Sequence, residues 1–142
     1  MSAYADTSFL VSLYVLDANS ALAAARMKHA GLPILLTSFG ELELTNALSL
    51  RLFRRELRPS KIKAARALIR KDLSDGILSL KTLPEGAFDK AMQMARRRTP
   101  QLGTRTLDIL HVASALRLQA DTFYTFDRNQ ERLARAEGLI IL

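Results

Sequence analysis

Four acidic residues stand at positions from which carboxylates could be brought together. The stretch TFYTFDRNQ (Thr122–Gln130) places Asp127 after a run of aromatic and β-branched residues and ahead of a polar segment. The opening MSAYADTSF repeats that arrangement with Asp6, followed by Thr7 and Ser8. Glu43 lies in ELELTNAL, and Asp108 in TRTLDILHVASAL, in the first turn of an otherwise small and apolar helical stretch. Acids at strand exits and helix first turns have two uses. Each can cap or complement the helix it opens, or several can share a cation, because like charges packed closely cannot all stay ionised without a counter-ion. An oxygen-only donor set, in a chain with no cysteine and no paired histidines, selects a hard ion, Mg²⁺ or Mn²⁺.

Two neighbours sharpen this reading. SFGE fits a capping box with Ser38 as N-cap and Glu41 closing it. Glu43 is about 200° round the helix from Glu41, on the line of Ala47 and Leu50, the side that leans on a sheet. A carboxylate near a buried face needs a partner, and a divalent cation would be one. His111, a turn beyond Asp108 among Ile109, Leu110 and Val112, reads as a packed, hydrogen-bonded histidine rather than a ligand. No Ser–His–Asp or Cys–His set competes for the chemistry.

The elements that must position these acids alternate between short β-rich runs and longer helical patterns. Strands are expected at Ser2–Asp6, Pro33–Thr37, Ile77–Leu83, Thr122–Phe126 and the closing LIIL. Helices are expected at Ser8–Leu16, Asn19–His29, Ser38–Leu57, Pro59–Leu73, Glu85–Arg98, Thr106–Gln119 and Arg128–Glu137. Crossovers of this length permit parallel pairing, so the class is α/β with a central parallel sheet. In such a sheet, sites form beyond the carboxyl ends of strands near the topological switch point. All four acids can be placed on that edge.

Composition sets the outer bounds. At 142 residues the chain is one domain long, residues 1–142, with no repeat, linker or low-complexity tract. Lys and Arg number 21 against 14 Asp and Glu, a net charge of +7 that favours a polyanionic or acidic partner. The lack of cysteine, of a basic leader and of a long apolar run suggests a cytoplasmic protein, with no membrane partner.

Taken together, YADTSFLVSLY, ELELTNAL, LGTRTLDILHVASAL and FYTFDRNQ resemble the PIN-domain nucleases, and within them the VapC-like toxins of toxin–antitoxin systems. The resemblance covers nearly the whole chain. It implies a PIN-like three-layer sandwich, with a mainly parallel sheet flanked by helices. It also implies an Mg²⁺- or Mn²⁺-dependent endoribonuclease, a homodimer and a cognate antitoxin. By position, Asp6, Glu43, Asp108 and Asp127 correspond to the four metal-binding acids of the family. Thr7, Ser8, Thr125 and Asn129 correspond to the polar residues that orient them. Four acids can hold one ion or two.

Substrate contacts would fall to arginines. Arg51, Arg54, Arg55 and Arg58 recur at helical spacing, with Arg54 about 16 Å beyond Glu43 along the helix. They form either a track for RNA phosphates or a solvated face for an acidic antitoxin segment. Arg105, just before Asp108, could contact a phosphate or pair with an acid. Two rivals stay open, a PIN nuclease that processes RNA without a toxin role and a non-catalytic RNA- or protein-binding module, and a third, a phospho-receiver domain, is weak. The last lacks an acidic pair after the first strand and a lysine beyond Lys90.

Overall fold

The computed structural model describes residues 2–142. Strands β1 (Ala3–Ala5), β2 (Ile34–Thr37), β3 (Leu78–Lys81) and β4 (Thr122–Tyr124) form one sheet in the order β3-β2-β1-β4, each pair parallel. The helices are α1 (Thr7–Tyr14), α2 (Ser20–Lys28), α3 (Ser38–Phe53), α4 (Pro59–Ser74), α5 (Ala87–Leu102), α6 (Thr106–Arg117) and α7 (Arg128–Ala136).

Alternation along the strands builds two cores. Ala3, Ala5, Ile34, Leu36 and Tyr124 face one side, where Phe9, Leu44, Leu48 and Ile62 from α1, α3 and α4 pack on them. Tyr4, Leu35 and Phe123 face the other, against Met94, Val112 and Leu133 from α5, α6 and α7. Every large side chain buried in this way contributes roughly 1.5–3 kcal/mol. The result is the expected three-layer α/β sandwich with a parallel sheet.

Several local expectations are corrected. The N-cap of α3 is Thr37, whose hydroxyl accepts from Gly40 N at 3.2 Å. Ser38 is already helical and donates to Lys81 O at 3.3 Å, tying α3 to β3, so there is no capping box. α3 also ends at Phe53, four residues early. Arg55 takes a left-handed φ of 58°, Glu56 N bonds Arg51 O at 3.0 Å, and Arg51 pairs with Glu56 at 3.5 Å. That 6→1 closure is a Schellman stop, and it ends the arginine stripe: Arg54 caps α3, Arg55 lies beyond it, and Arg58 caps α4.

α5 runs through Pro100, where a loop was expected, because so near the C-terminus only one helical hydrogen bond is lost. Gly103, left-handed at φ 62°, stops it. The closing LIIL contributes a single parallel bridge, Ile140 to Thr122, rather than a strand.

Candidate metal centre and its cleft

β1 is the switch point of the sheet: β2 and β3 extend to one side of it and β4 to the other. Ala5 is in register with Tyr124, and Asp6 N bonds Tyr124 O at 3.1 Å, so residues 6 and 125 leave the sheet side by side. Asp6 is 0% exposed. Its Oδ1 accepts from Phe9 N at 3.0 Å and Ser8 Oγ at 2.7 Å, and its Oδ2 accepts from Thr125 Oγ1 at 2.5 Å. Burial pushes the Asp6 carboxyl above the usual range, against the lowering pull of Thr125, nearby His111, Phe9 N and Ser8. Asp6 therefore does cap α1, yet it remains a dry carboxylate whose direct donors are all neutral.

Above it opens a cleft of ≈ 450 Å³, lined by Glu43, Asp108, Asp127 and the hydroxyls of Thr7 and Ser8, with Arg51 and Arg105 among its walls. Asp127 divides its oxygens between two tasks. Oδ1 caps α7 by accepting from Asn129 N at 2.8 Å and Gln130 N at 3.0 Å, while Oδ2 faces Arg105 at 3.4 Å. The Arg105 Nε donates to Asp108 Oδ2 at 3.2 Å, so this 69% exposed guanidinium spans both acids. Glu43 Oε1 accepts from Thr7 Oγ1 at 2.8 Å and from His111 Nε2. Partial burial works to raise the Glu43 carboxyl, but the His111 ring and Thr7 outweigh it and hold it below the ordinary range.

The expected site residues thus divide by location. Glu43, Asp108 and Asp127 line the cleft, whereas Asp6 is fully buried and touches it only through Ser8; Thr7, Ser8 and Thr125 hydrogen-bond these acids. Asn129 reaches Asp127 only through its backbone amide, because its side chain accepts from Arg132 at 2.6 Å. Of the arginines expected to bind RNA, Arg51 and Arg105 line the cleft, whereas Arg54 and Arg55 lie past the end of α3 and do not.

The donor chemistry fits a hard divalent ion. Oxygen ligands rim one cleft, and the buried Asp6 lacks a cationic partner. Among the described residues, however, no three acids or histidines stand together as a ready-made metal group. Arg105 supplies the positive charge between Asp108 and Asp127.

Two features escaped the sequence reading. Asp17 also lines the cleft, with its carboxylate accepting from Ser12 Oγ and from Asn19 N, each at 2.8 Å; the DANS turn was the available signal. The second is the pairing of His111 with Glu43, which joins residues 68 apart and leaves no local pattern.

Comparison with known proteins agrees with this architecture. The PIN domain family profile matches residues 3–136. No curated protein matches the sequence significantly. Among solved structures, VapC20 of Mycobacterium tuberculosis, described as a sarcin-ricin loop cleaving toxin, superposes with a TM-score of 0.71 at 18% identity, over 98% of this chain and 97% of that one. FitAcB of Neisseria gonorrhoeae gives 0.68 at 16% identity, over 99% and 96%. PAE2754 of Pyrobaculum aerophilum gives 0.63 at 21% identity, over 99% and 89%. A fold shared along its full length with these proteins, and a family profile spanning all four strands and the acid-lined cleft, make this chain a member of the PIN domain family.

Proposed function

We propose that the chain is a single-domain, Mg²⁺- or Mn²⁺-dependent endoribonuclease, acting in the cytoplasm as the toxin of a VapBC-type pair. The observation that carries this reading is that Glu43, Asp108 and Asp127 line one cleft whose Ser8 hydroxyl donates to the buried Asp6. The description of VapC20 as a sarcin-ricin loop cleaving toxin supports the substrate class. Further support comes from the net charge of +7, suited to a polyanion. No helix among the described residues is long and apolar enough to cross a membrane. A homodimer and an antitoxin belong to the same proposal, by the family resemblance.

The four acids would hold the ion, which when bound supplies Lewis-acid stabilisation of charge on the phosphate and eases deprotonation of the attacking water. The chain's own groups do the rest. Thr7, Ser8 and Thr125 fix the carboxylates by donating to them, so the donor set does not reorganise during the reaction. Arg51 and Arg105, on the cleft wall, offer cationic donors to the phosphodiester oxygens. Asp6, sealed from water and without a cationic partner, would have its anionic form stabilised by an incoming cation.

The test is cleavage of RNA by purified protein with Mn²⁺. Wild type should cleave, and EDTA should abolish cleavage until Mn²⁺ is restored. Asp6→Asn and Asp108→Asn should each be inactive. Full cleavage by both variants would sink the assignment.

A further inference from the structure

Beneath Glu43 lies a buried polar chain that the family pattern does not mention. Tyr4 Oη is 2.7 Å from His111 Nδ1, and His111 Nε2 bonds Glu43 Oε1. Tyr4 is 0% and His111 1% exposed, and they belong to β1 and α6 while Glu43 belongs to α3. The Tyr4 ring stacks on Phe123 with centroids 5.6 Å apart, and Phe39 packs on the imidazole at 4.3 Å.

We propose that Tyr4 and His111 are positioning residues that hold the Glu43 carboxylate in the orientation needed to receive a divalent cation. The proposal rests on the reading of Glu43 as a metal ligand.

The donors have a single consistent direction. An ionised carboxylate only accepts, so the Nε2 of His111 carries the hydrogen. With Nε2 as the donor to Glu43, a Tyr4 hydroxyl that donates to Nδ1 completes one direction through the pair. The Tyr4 oxygen in turn lies 3.5 Å from Thr37 Oγ1, the hydroxyl that caps α3. The chain therefore runs Thr37, Tyr4, His111, Glu43, from the N-cap of α3 through β1 and α6 to a carboxylate six residues further along α3.

Both donors to Glu43, Thr7 and His111, meet the same oxygen, Oε1, and among the described residues no donor reaches Oε2. A free glutamate loses up to about 2 kcal/mol of rotamer freedom on being fixed. Here the loss is incurred before any ion arrives, which raises affinity. A histidine that merely filled the core would need one partner for its N–H and would have no reason to end at a cleft carboxylate. Supporting partners of metal ligands affect affinity about 10–100-fold when removed.

The experiment measures Mn²⁺ alone binding to RNA-free protein, by calorimetry, in wild type, Tyr4→Phe, His111→Leu, His111→Gln and Glu43→Gln. His111→Leu should bind Mn²⁺ about tenfold more weakly or worse. His111→Gln, which keeps an N–H near the ε position, should recover most of that loss. Tyr4→Phe, which keeps the ring and its stack, should bind several-fold more weakly, and it carries the test if His111→Leu fails to fold. In the metal-free wild type, imidazole ¹⁵N shifts should show a protonated Nε2 and a bare Nδ1. Wild-type Mn²⁺ affinity in both His111→Leu and Tyr4→Phe, alongside loss in Glu43→Gln, would overturn the positioning role alone. Unchanged affinity in Glu43→Gln would remove Glu43 as a ligand and the proposal with it. The opposite tautomer would break the chain of donors and also overturn it.

Discussion

The Thr125 hydroxyl donates to Asp6 Oδ2 at 2.5 Å, joining the exits of β4 and β1 across 119 residues of sequence. Thr125 Oγ1 also accepts from Asp127 N at 2.9 Å, so one side chain orients two of the four acids. Thr125→Val keeps the shape and removes the hydroxyl, leaving Asp6 Oδ2 without its donor in dry surroundings. The expected cost is about 1–3 kcal/mol, read from the urea midpoint. A change within experimental error would show that Asp6 does not depend on Thr125.

Asp6→Asn should make the metal-free protein more stable at neutral pH. Burial raises the folded-state pKa of Asp6 above its unfolded value. Such a group contributes stability that is fully present below the unfolded pKa, near 4, and is lost as pH rises through the folded value. At pH 7.5 the wild type therefore carries a penalty that the neutral amide lacks. In EDTA, the Tm of Asp6→Asn should exceed that of wild type at pH 7.5, and the gap should close on acidification towards pH 4. A lower Tm at pH 7.5 would contradict the claim that burial raises the Asp6 carboxyl. Added Mn²⁺ should stabilise wild type and leave the variant unaffected.

Arg105→Gln separates two roles of the guanidinium. Exposed ion pairs are worth little, so stability should change by less than about 0.5 kcal/mol. Removing the competing cation from Asp108 and Asp127 should tighten Mn²⁺ binding several-fold. Loss of a phosphate contact should weaken RNA binding and lower its salt slope by about 1. Unchanged values for both ligands would leave Arg105 as a surface residue.

Arg55→Gly should stabilise the protein by about 1 kcal/mol. Arg55 holds φ at 58° in the stop of α3, a conformation that costs a residue with a Cβ about 1–2 kcal/mol and glycine almost nothing. Since Arg55 lies outside the cleft, RNA cleavage by Arg55→Gly should match wild type. A large fall in cleavage would restore Arg55 to the substrate track.

Much of this molecule was determined by local pattern. Apolar runs before Asp6 and Asp127, helical periodicity between them and the residue types of the four acids were enough for an α/β sheet with its carboxylates on one edge. Local pattern failed where neighbouring residues of similar type competed for one role or where a backbone stop left no signature in residue type. Ser38 looked like a cap, but Thr37, at the end of β2, reached Gly40 first. The arginine stripe required α3 to continue, and a left-handed Arg55 ended it.

Only the tertiary structure decided how the acids share their work. Asp6 and Asp127 were each open to capping or to site chemistry; each caps its helix through Oδ1, while Oδ2 meets the Thr125 hydroxyl in Asp6 and faces Arg105 in Asp127. The pairing of His111 with Glu43 was likewise invisible beforehand. Hydrogen bonds between residues brought together by strand order and helix packing follow from the whole chain's burial of apolar surface, and no short window of sequence contains that information.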